Sequence, residues 1–342
     1  MARYREYGAV FSPARSWPRV ALWSLLLFVL GIAARIAQAD DPLPSWRDGE
    51  AKAAIIHFVE RVTTPGADYL MPAERVAVFD NDGTLCPEMP VSTQFAFTLD
   101  RLRAMAPAHP LWRDTEPFKS ALAGDIEAVA AGGDKAILQL MTVTHSGMST
   151  DDFDAMVRDW LTRARHPRFG RPYTRLVYQP MLELLIYLRS NGFSTYIVAS
   201  GGTDFMRSWV EQAYGIPPEQ VIGSSSKLLY EIRNGEPVLM RQRAVDFIND
   251  GDSKPIAIHK VIGRRPILAF GNSDRDIAML EWATMQSRPT LGLLLHHTDA
   301  EREYAYDRKA FRGRLEQALA TAPARHWVIV DMRRDWAKVF RD

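Results

Sequence analysis

Val76-Ala-Val-Phe79 is a short apolar run that stops in Asp80-Asn-Asp82-Gly-Thr84-Leu, and no other stretch constrains the fold as much. Consecutive β-branched and aromatic residues read as a buried strand. Side chains at i and i+2 of an extended chain point the same way, so Asp80 and Asp82 leave the strand on one side. Two like charges at the open end of a buried strand are costly unless a cation or a shared proton offsets them. Gly83 permits a sharp turn immediately after them. In open α/β sheets, ligands bind beyond the carboxyl ends of the strands. The plainer alternative is a solvated Asx turn that closes the strand.

The first forty residues read as a leader rather than as part of the fold. Arg3, Arg5, Arg15 and Arg19 face a single Glu6, then Val20 to Ala34 is an uncharged apolar run, followed by Ala37-Gln-Ala39. A basic start, a short apolar core and a small-x-small site describe a secretory signal peptide over residues 1–39. The run is short for a membrane span, and Arg35 sits awkwardly just before the cut, so an uncleaved anchor is the alternative. The expectation is a secreted or periplasmic protein with no stable membrane association after cleavage beyond Ala39. The mature part would be about 300 residues, one large domain or a core with an insertion. The whole chain is formally +1; without the Arg-rich leader it becomes about −3. No basic stripe is present, so a nucleic-acid partner is not expected. The single cysteine, Cys86, excludes an internal disulfide and a cysteine-based zinc site. A catalytic thiol there would lack an evident base.

Beyond the leader, Trp46 to Val62 has helical spacing and leads into the acidic strand. From Gln94 to about Arg165 the apolar residues recur at helical intervals, with Gly132-Gly133 and Pro107/Pro110 as punctuation and Ser149-Thr-Asp-Asp152 as a helix start. This predicts a helical insertion over 91–171, a candidate lid. Residues 40–90 and 172–342 then form the core. Pro180 to Asn191 is predicted helix. Phe193 to Ala199 is a strand ending at Ser200-Gly-Gly202, with a helix from Thr203 to Tyr214. Val221 to Ser224 is a short strand, and Asn234-Gly235 joins a hairpin of 228–232 and 237–241. A loop bearing Lys254 precedes the next helix. Strands at Pro266–Phe270, Leu291–Leu295 and Trp327–Asp331 follow. Alternating strands and helices predict an α/β fold with a doubly wound parallel sheet.

Successive strand ends therefore offer Asp80 and Asp82, then Ser200 with Gly201, then Asn272, Asp274 and Asp276, with Lys254 between. This inventory suits phosphoryl transfer. One carboxylate can attack, another can exchange protons, oxygen ligands can hold Mg²⁺, and a hydroxyl, amides and a Lys can balance the phosphoryl charge. No Walker loop, dinucleotide fingerprint, His-Glu-x-x-His or serine-hydrolase elbow occurs.

The motif Asp80-Asn-Asp82-Gly-Thr84-Leu resembles the first motif of the haloacid dehalogenase-like superfamily. Ser200 resembles its second, Lys254 its third and Gly271-Asn272-Ser-Asp-Arg-Asp276 its fourth. The order is right over residues 75–282, and the helical insertion lies where phosphoserine-phosphatase-like members carry a cap on their Rossmann-like core. The resemblance implies Asp80 as nucleophile and Asp82 as general acid and base. It implies Ser200, the Gly201 amide and Thr84 at the phosphate, with Thr84 alternatively bracing the turn. Lys254 would balance charge, with Lys260 as a rival. Mg²⁺ would be held by Asp80, the Asp82 carbonyl and a fourth-motif side chain. Asn272 stands where many relatives have Asp, so Asp276 or Asp274 is an alternative ligand; Asp276 could instead orient Lys254 or hold a metal-bound water, and both could cap a helix.

The implied activity is Mg²⁺-dependent hydrolysis of a small-molecule phosphate ester through an aspartyl-phosphate, with phosphoserine as a candidate. The alternatives are a binding protein that has lost turnover, or phosphotransfer to an acceptor alcohol. His296-His297, and Arg163, Arg165 and Arg168 of the insertion, are weaker candidates that read as structural or solvated.

Overall fold

The computed structural model of the protein describes residues 41–341; the leader expected over 1–39 lies outside them. The chain from Pro42 onward forms one unit, built in the order helix α1 (Glu50–Thr63), strand β1 (Val76–Phe79), then helices α2 (Thr93–Met105), α3 (Phe118–Ala123), α4 (Ile126–Ala131), α5 (Gly133–Thr144) and α6 (Thr150–Arg163). Helix α7 (Gln179–Ser190) leads to β2 (Ser194–Gly202), α8 (Thr203–Arg207), α9 (Val210–Tyr214), β3 (Val221–Arg233) and β4 (Glu236–Phe247). Then come α10 (Ser253–Ile262), β5 (Leu268–Gly271), α11 (Ile277–Thr284), β6 (Leu291–Thr298), β7 (Ala305–Tyr306), α12 (Gln317–Arg325), β8 (Val328–Asp331) and α13 (Met332–Asp335). No helix among the described residues is long and apolar enough to cross a membrane.

The sheet runs β4-β3-β2-β1-β5-β6-β7, with β8 also paired to β6. Its central strands are parallel, and only β4 and β7 run antiparallel to their neighbours. Every residue of β1 is buried, as a strand covered on both faces requires. Ala77 and Phe79 enter one apolar layer with Leu268, Phe270 and Leu293. Val76 and Val78 enter the other with Ala269 and Leu294. From β1 the chain winds to β2 and β3 on one side, then returns to β5 and β6 on the other. The crevice at this reversal lies beyond the carboxyl ends of β1 and β5, where ligands bind in open α/β sheets. This is the doubly wound α/β sheet that the strand pattern predicts.

Helices α2 to α6 form the insertion after β1, and they bury a cluster of their own that includes Phe95, Leu102, Phe118 and Leu140. Ser149 caps α6 by accepting the Asp152 amide, as its sequence suggests. Backbone bonds fasten the insertion to β4: Gly147 donates to the Arg241 carbonyl at 2.8 Å, and Arg241 to that of Met148 at 2.9 Å.

Four details differ from the sequence expectation. β2 continues through Gly202 rather than stopping at Ser200, with its register on β3 shifting after Val198. The helix expected over Thr203–Tyr214 is broken at Ser208-Trp209 into α8 and α9. The short strand at Val221 and the first arm of the hairpin are one strand, β3. Lys254 lies inside the first turn of α10, not in the preceding loop.

The C-terminal aromatics close over the N-terminal segment. Trp46 and Trp336 are both nearly fully buried and meet edge to face at 5.9 Å between ring centroids. Trp46 Nε1 also donates to the Pro180 carbonyl at 2.9 Å. Trp46→Ala should lower the free energy of unfolding by about 3–5 kcal/mol. Urea denaturation checks this; a midpoint unchanged from wild type would contradict this packing role.

Candidate active site

Asp80 leaves β1 with its amide bonded to the Phe270 carbonyl of β5 at 3.0 Å, which places its side chain at the sheet reversal. The turn that follows is tied by the amides of Thr84 and Leu85, both donating to the Asn81 carbonyl. Gly83 is required there. Its φ is +82°, and a Cβ would collide with Asn272 Nδ2 and Glu88 Oε1, which lie directly against this peptide. Gly271 is required on β5, because a Cβ would stand 2.5 Å from Asp276 Cβ.

Lys254 joins the motifs. Its buried Nζ donates to Asp80 Oδ1 at 2.9 Å and to Asp276 Oδ1 at 2.6 Å. Lys260, the rival, is exposed and stands over the Phe247 ring. Asp276 Oδ2 accepts the amides of Asn272 and Ser273, each at 3.0 Å, and the Ser273 hydroxyl at 3.1 Å. Both of its oxygens are thus committed to positioning Lys254 and the β5 loop. Of the roles expected for Asp276, the orienting of Lys254 is the one this geometry shows, rather than direct metal ligation. Asp274 is also occupied elsewhere: its Oδ1 accepts the amides of Glu316 and Ala318 at the start of α12.

Of the two roles expected for Thr84, the geometry shows the bracing of the turn rather than the phosphate contact. Its fully buried hydroxyl donates to Asn272 Oδ1 at 2.9 Å, so it braces the turn. Asn272 Nδ2 in turn donates to Glu88 Oε1 at 2.7 Å, and Tyr306 donates its hydroxyl to the same oxygen at 2.9 Å. An Asn at 272 therefore has a specific carboxylate partner for its N–H group, and this fixes which way the amide oxygen points. Ser200 is exposed. A Cβ at its neighbour Gly201 would lie 3.9 Å from Asp82 Oδ2. The Gly202 amide is already taken by Gln94 Oε1 of α2 at 2.7 Å.

Asp80, Asp82, Glu88, Ser200, Lys254 and Arg312 line one recess. A larger cavity of about 410 Å³ opens from Asp82 and Ser200 toward the insertion and β4. Burial pushes Asp80 up to about 7, against the pull of Lys254 and aided by Asp276. It pushes Asp82 to about 6, against Arg312, and Glu88 to about 8, against the Tyr306 hydrogen bond. Burial alone would depress the Lys254 ammonium, but Asp276 and then Asp80 hold it above its ordinary value. Cys86 is buried and its thiol is pushed well up, first by burial and then by Asp82, so it is no thiolate nucleophile.

The negative charge of this recess exceeds its positive charge, which is the setting a divalent cation relieves. The Asp80 carboxylate, the Asp82 carbonyl and the Asn272 amide oxygen are hard oxygen donors that fit Mg²⁺. Among the described residues no three His, Cys, Asp or Glu side chains converge as a metal cage.

The remaining candidates are structural. His297 is wedged between the Gly83 carbonyl at 2.7 Å and Glu303 at 3.2 Å. Arg163 pairs with Asp159, Arg165 bonds the Thr162 carbonyl, and Arg168 bonds the carbonyls of Ala300 and Glu301. Sequence reasoning missed Glu88, Arg312 and Gln94. Glu88 follows the acidic turn closely but matches no motif, and Arg312 lies in a segment without periodicity. Gln94 reads only as the start of a helix.

Paired carboxylates, a buried lysine bridge and a hydroxyl-glycine strand end thus meet at the sheet reversal. The family model of haloacid dehalogenase-like hydrolases matches residues 77–281, and the chain belongs to that family. No curated protein matches it. Solved structures to which it is similar include a protein of unknown function from Bordetella pertussis Tohama I, at 14% identity over 76% of this chain and 99% of that one, TM-score 0.49. A phosphoserine phosphohydrolase-like protein from Francisella tularensis subsp. tularensis SCHU S4 matches at 14% identity over 76% and 95%, TM-score 0.39. A probable phosphoserine phosphatase from Vibrio cholerae matches at 15% over 81% and 74%, TM-score 0.35. Likenesses this distant bear on neither substrate nor mechanism.

Glu88 gives a pH test. Its pKa is raised in the folded chain, so between its unfolded value and about 8 the folded state binds the extra proton. Its contribution to stability is therefore present at low pH and lost as pH rises. In chelator, wild type should lose stability relative to Glu88→Gln as pH rises from about 4.5 to about 8, by at most about 1.4 kcal/mol per pH unit. Melting temperatures of the two proteins across this range check it; parallel curves would contradict it.

Proposed function

We propose that this chain is a Mg²⁺-dependent phosphomonoesterase that works through an aspartyl-phosphate on Asp80. The observation that carries the reading is the Lys254 bridge between Asp80 and Asp276, with Asp82 and Ser200 on the same recess. Asp80 attacks phosphorus in line with the leaving oxygen, and the bond to that oxygen breaks as the aspartyl bond forms. Asp82 donates a proton to the departing oxygen. It then takes a proton from a water molecule, which attacks the phosphorus and releases inorganic phosphate with Asp80 restored. A group raised to about 6 is suited to both halves of this exchange near neutral pH. Ser200 and the Gly201 amide hold phosphoryl oxygens, and Lys254 balances their charge. Mg²⁺, when bound by Asp80, the Asp82 carbonyl and Asn272, supplies charge stabilisation on the phosphoryl oxygens.

The insertion acts as a cap that excludes water from the reacting centre. Arg275 on the core pairs with Asp134 of α5 and with Asp250, an ion-pair cluster across which the cap would open. The substrate is a small phosphate ester, and the leader of residues 1–39 would deliver the enzyme outside the cytoplasm.

Phosphate release from an aryl phosphate should require Mg²⁺, stop in chelator, and fall by at least about a thousandfold in Asp80→Asn. Turnover that survives in folded Asp80→Asn would overturn the nucleophile assignment. Turnover unaffected by chelator would overturn the metal requirement.

A further inference from the structure

The cavity beside the recess has a chemistry that selects among phosphate esters. Its volume, about 410 Å³, lies in the range of small-molecule sites and exceeds what a serine-sized leaving group fills. Helix α5 contributes Ile137, Leu138 and Met141 to its wall, α2 contributes Phe95, and the β4 side contributes Val245 and Ile248. Ile137 and Phe95 are buried, Leu138 and Met141 half-buried.

The charged residues on this wall are mostly paired with one another. Arg241 bonds Asp204, the His145 carbonyl and the Ser226 hydroxyl. Arg275 pairs with Asp134 and Asp250. Lys135 and Arg312 are the wall cations outside ion pairs among the described residues; Lys135 is exposed, and Arg312 stands at the recess beside Asp82. Of the hydroxyls on the wall, Ser224 donates to the Ser200 carbonyl and Ser225 to Asp246, while Ser92, Thr142 and Thr203 also line the cavity. Burial and the Arg241 charge keep His145 neutral, pushing it down to about 3, and its ring lies against Phe97 and Phe153. Oδ1 of Asp250 and Nε2 of His145 lack partners, but both atoms are buried away from solvent.

An amino-acid phosphate brings an ammonium and a carboxylate, and a sugar phosphate brings several hydroxyls. Along the α5 face of the cavity, where Ile137, Leu138 and Met141 offer no polar atom, each of these groups would lose water without a partner in return, which is unfavourable. An apolar body loses nothing on entry and gains by leaving water. We infer that this site takes phosphomonoesters whose alcohol or phenol half is an extended apolar body, and disfavours phosphoserine and sugar phosphates. The inference rests on the phosphomonoesterase reading for the role of the recess.

Calorimetric titration of the full chain with methyl-, butyl- and octylphosphonate and with the phosphonate analogue of phosphoserine tests it without turnover. Affinity should rise about fourfold per methylene until the cavity is filled, and the serine analogue should bind no better than methylphosphonate. Leu138→Asp, and separately Met141→Asp, should cut octylphosphonate affinity at least about tenfold while leaving methylphosphonate unchanged. A flat series, or tightest binding of the serine analogue, would overturn the inference.

Rates on the matching phosphate esters separate the two readings. Asp80-dependent turnover equal for all esters sinks the apolar selection and leaves the hydrolase. Chain-length-dependent binding with no turnover of any ester sinks the hydrolase and leaves the apolar cavity.

Discussion

The Lys254 ammonium, held out of water between Asp80 and Asp276, is the contact on which the rest of the site depends. An isolated buried ammonium or carboxylate is strongly unfavourable, and removing one member of such a set leaves the others uncompensated. Three strand or helix ends must therefore stay in register for the charges to offset: β1 carries Asp80, α10 carries Lys254, and the loop after β5 carries Asp276. Asp276 is held in place by the Asn272 and Ser273 amides. That in turn requires the close approach permitted by Gly271. One ammonium between two carboxylates still leaves negative charge in excess, and Asp82 and Glu88 add to it. Burial raises the pKa values of Asp80, Asp82 and Glu88, and the neighbouring carboxylates add to it; a bound cation would lower them.

The insertion is more than an added lid, because it takes up groups of the core. Gln94 accepts the Gly202 amide at the end of β2. Arg241 of β4 reaches back to the His145 carbonyl and stacks over the Phe153 ring. These contacts tie α2, α5 and α6 to the strands that frame the cavity. The space above the phosphoryl recess is therefore shaped by both parts of the chain, and its apolar side comes mainly from the insertion.

Much of this was readable in the sequence because it is local. The run Val76–Phe79, the Asp80/Asp82 spacing and the glycine after them define a strand end by themselves, and alternating strands and helices define the sheet. The helical insertion followed from apolar periodicity, and Ser149 announced the start of α6. What was not readable depends on partners distant in the chain. The sequence leaves Thr84 between a phosphate contact and bracing the turn, and the choice is made by Asn272, 188 residues away, which its hydroxyl meets. It likewise leaves Asp276 between metal binding and orienting Lys254, and the contacts to Lys254 and two amides come only with folding. Glu88 has no motif, and its importance comes from the Asn272 amide that folding brings to it. The single strand β3 was split in two by sequence because its middle, Ser224-Ser-Ser-Lys227, interrupts the apolar pattern; pairing with β4 overrides that local weakness.

The most direct test of this account is to locate the transferred phosphoryl group. Asp82→Asn, incubated with a labelled aryl phosphate whose leaving group needs no proton, should accumulate label because the second, water-dependent half of the exchange lacks its base. Rapid acid quench and peptide mapping should place that label on Asp80, as an acyl-phosphate cleaved by hydroxylamine. Label on any other residue, or release of phosphate at the full rate with no labelled protein at any time, would contradict it.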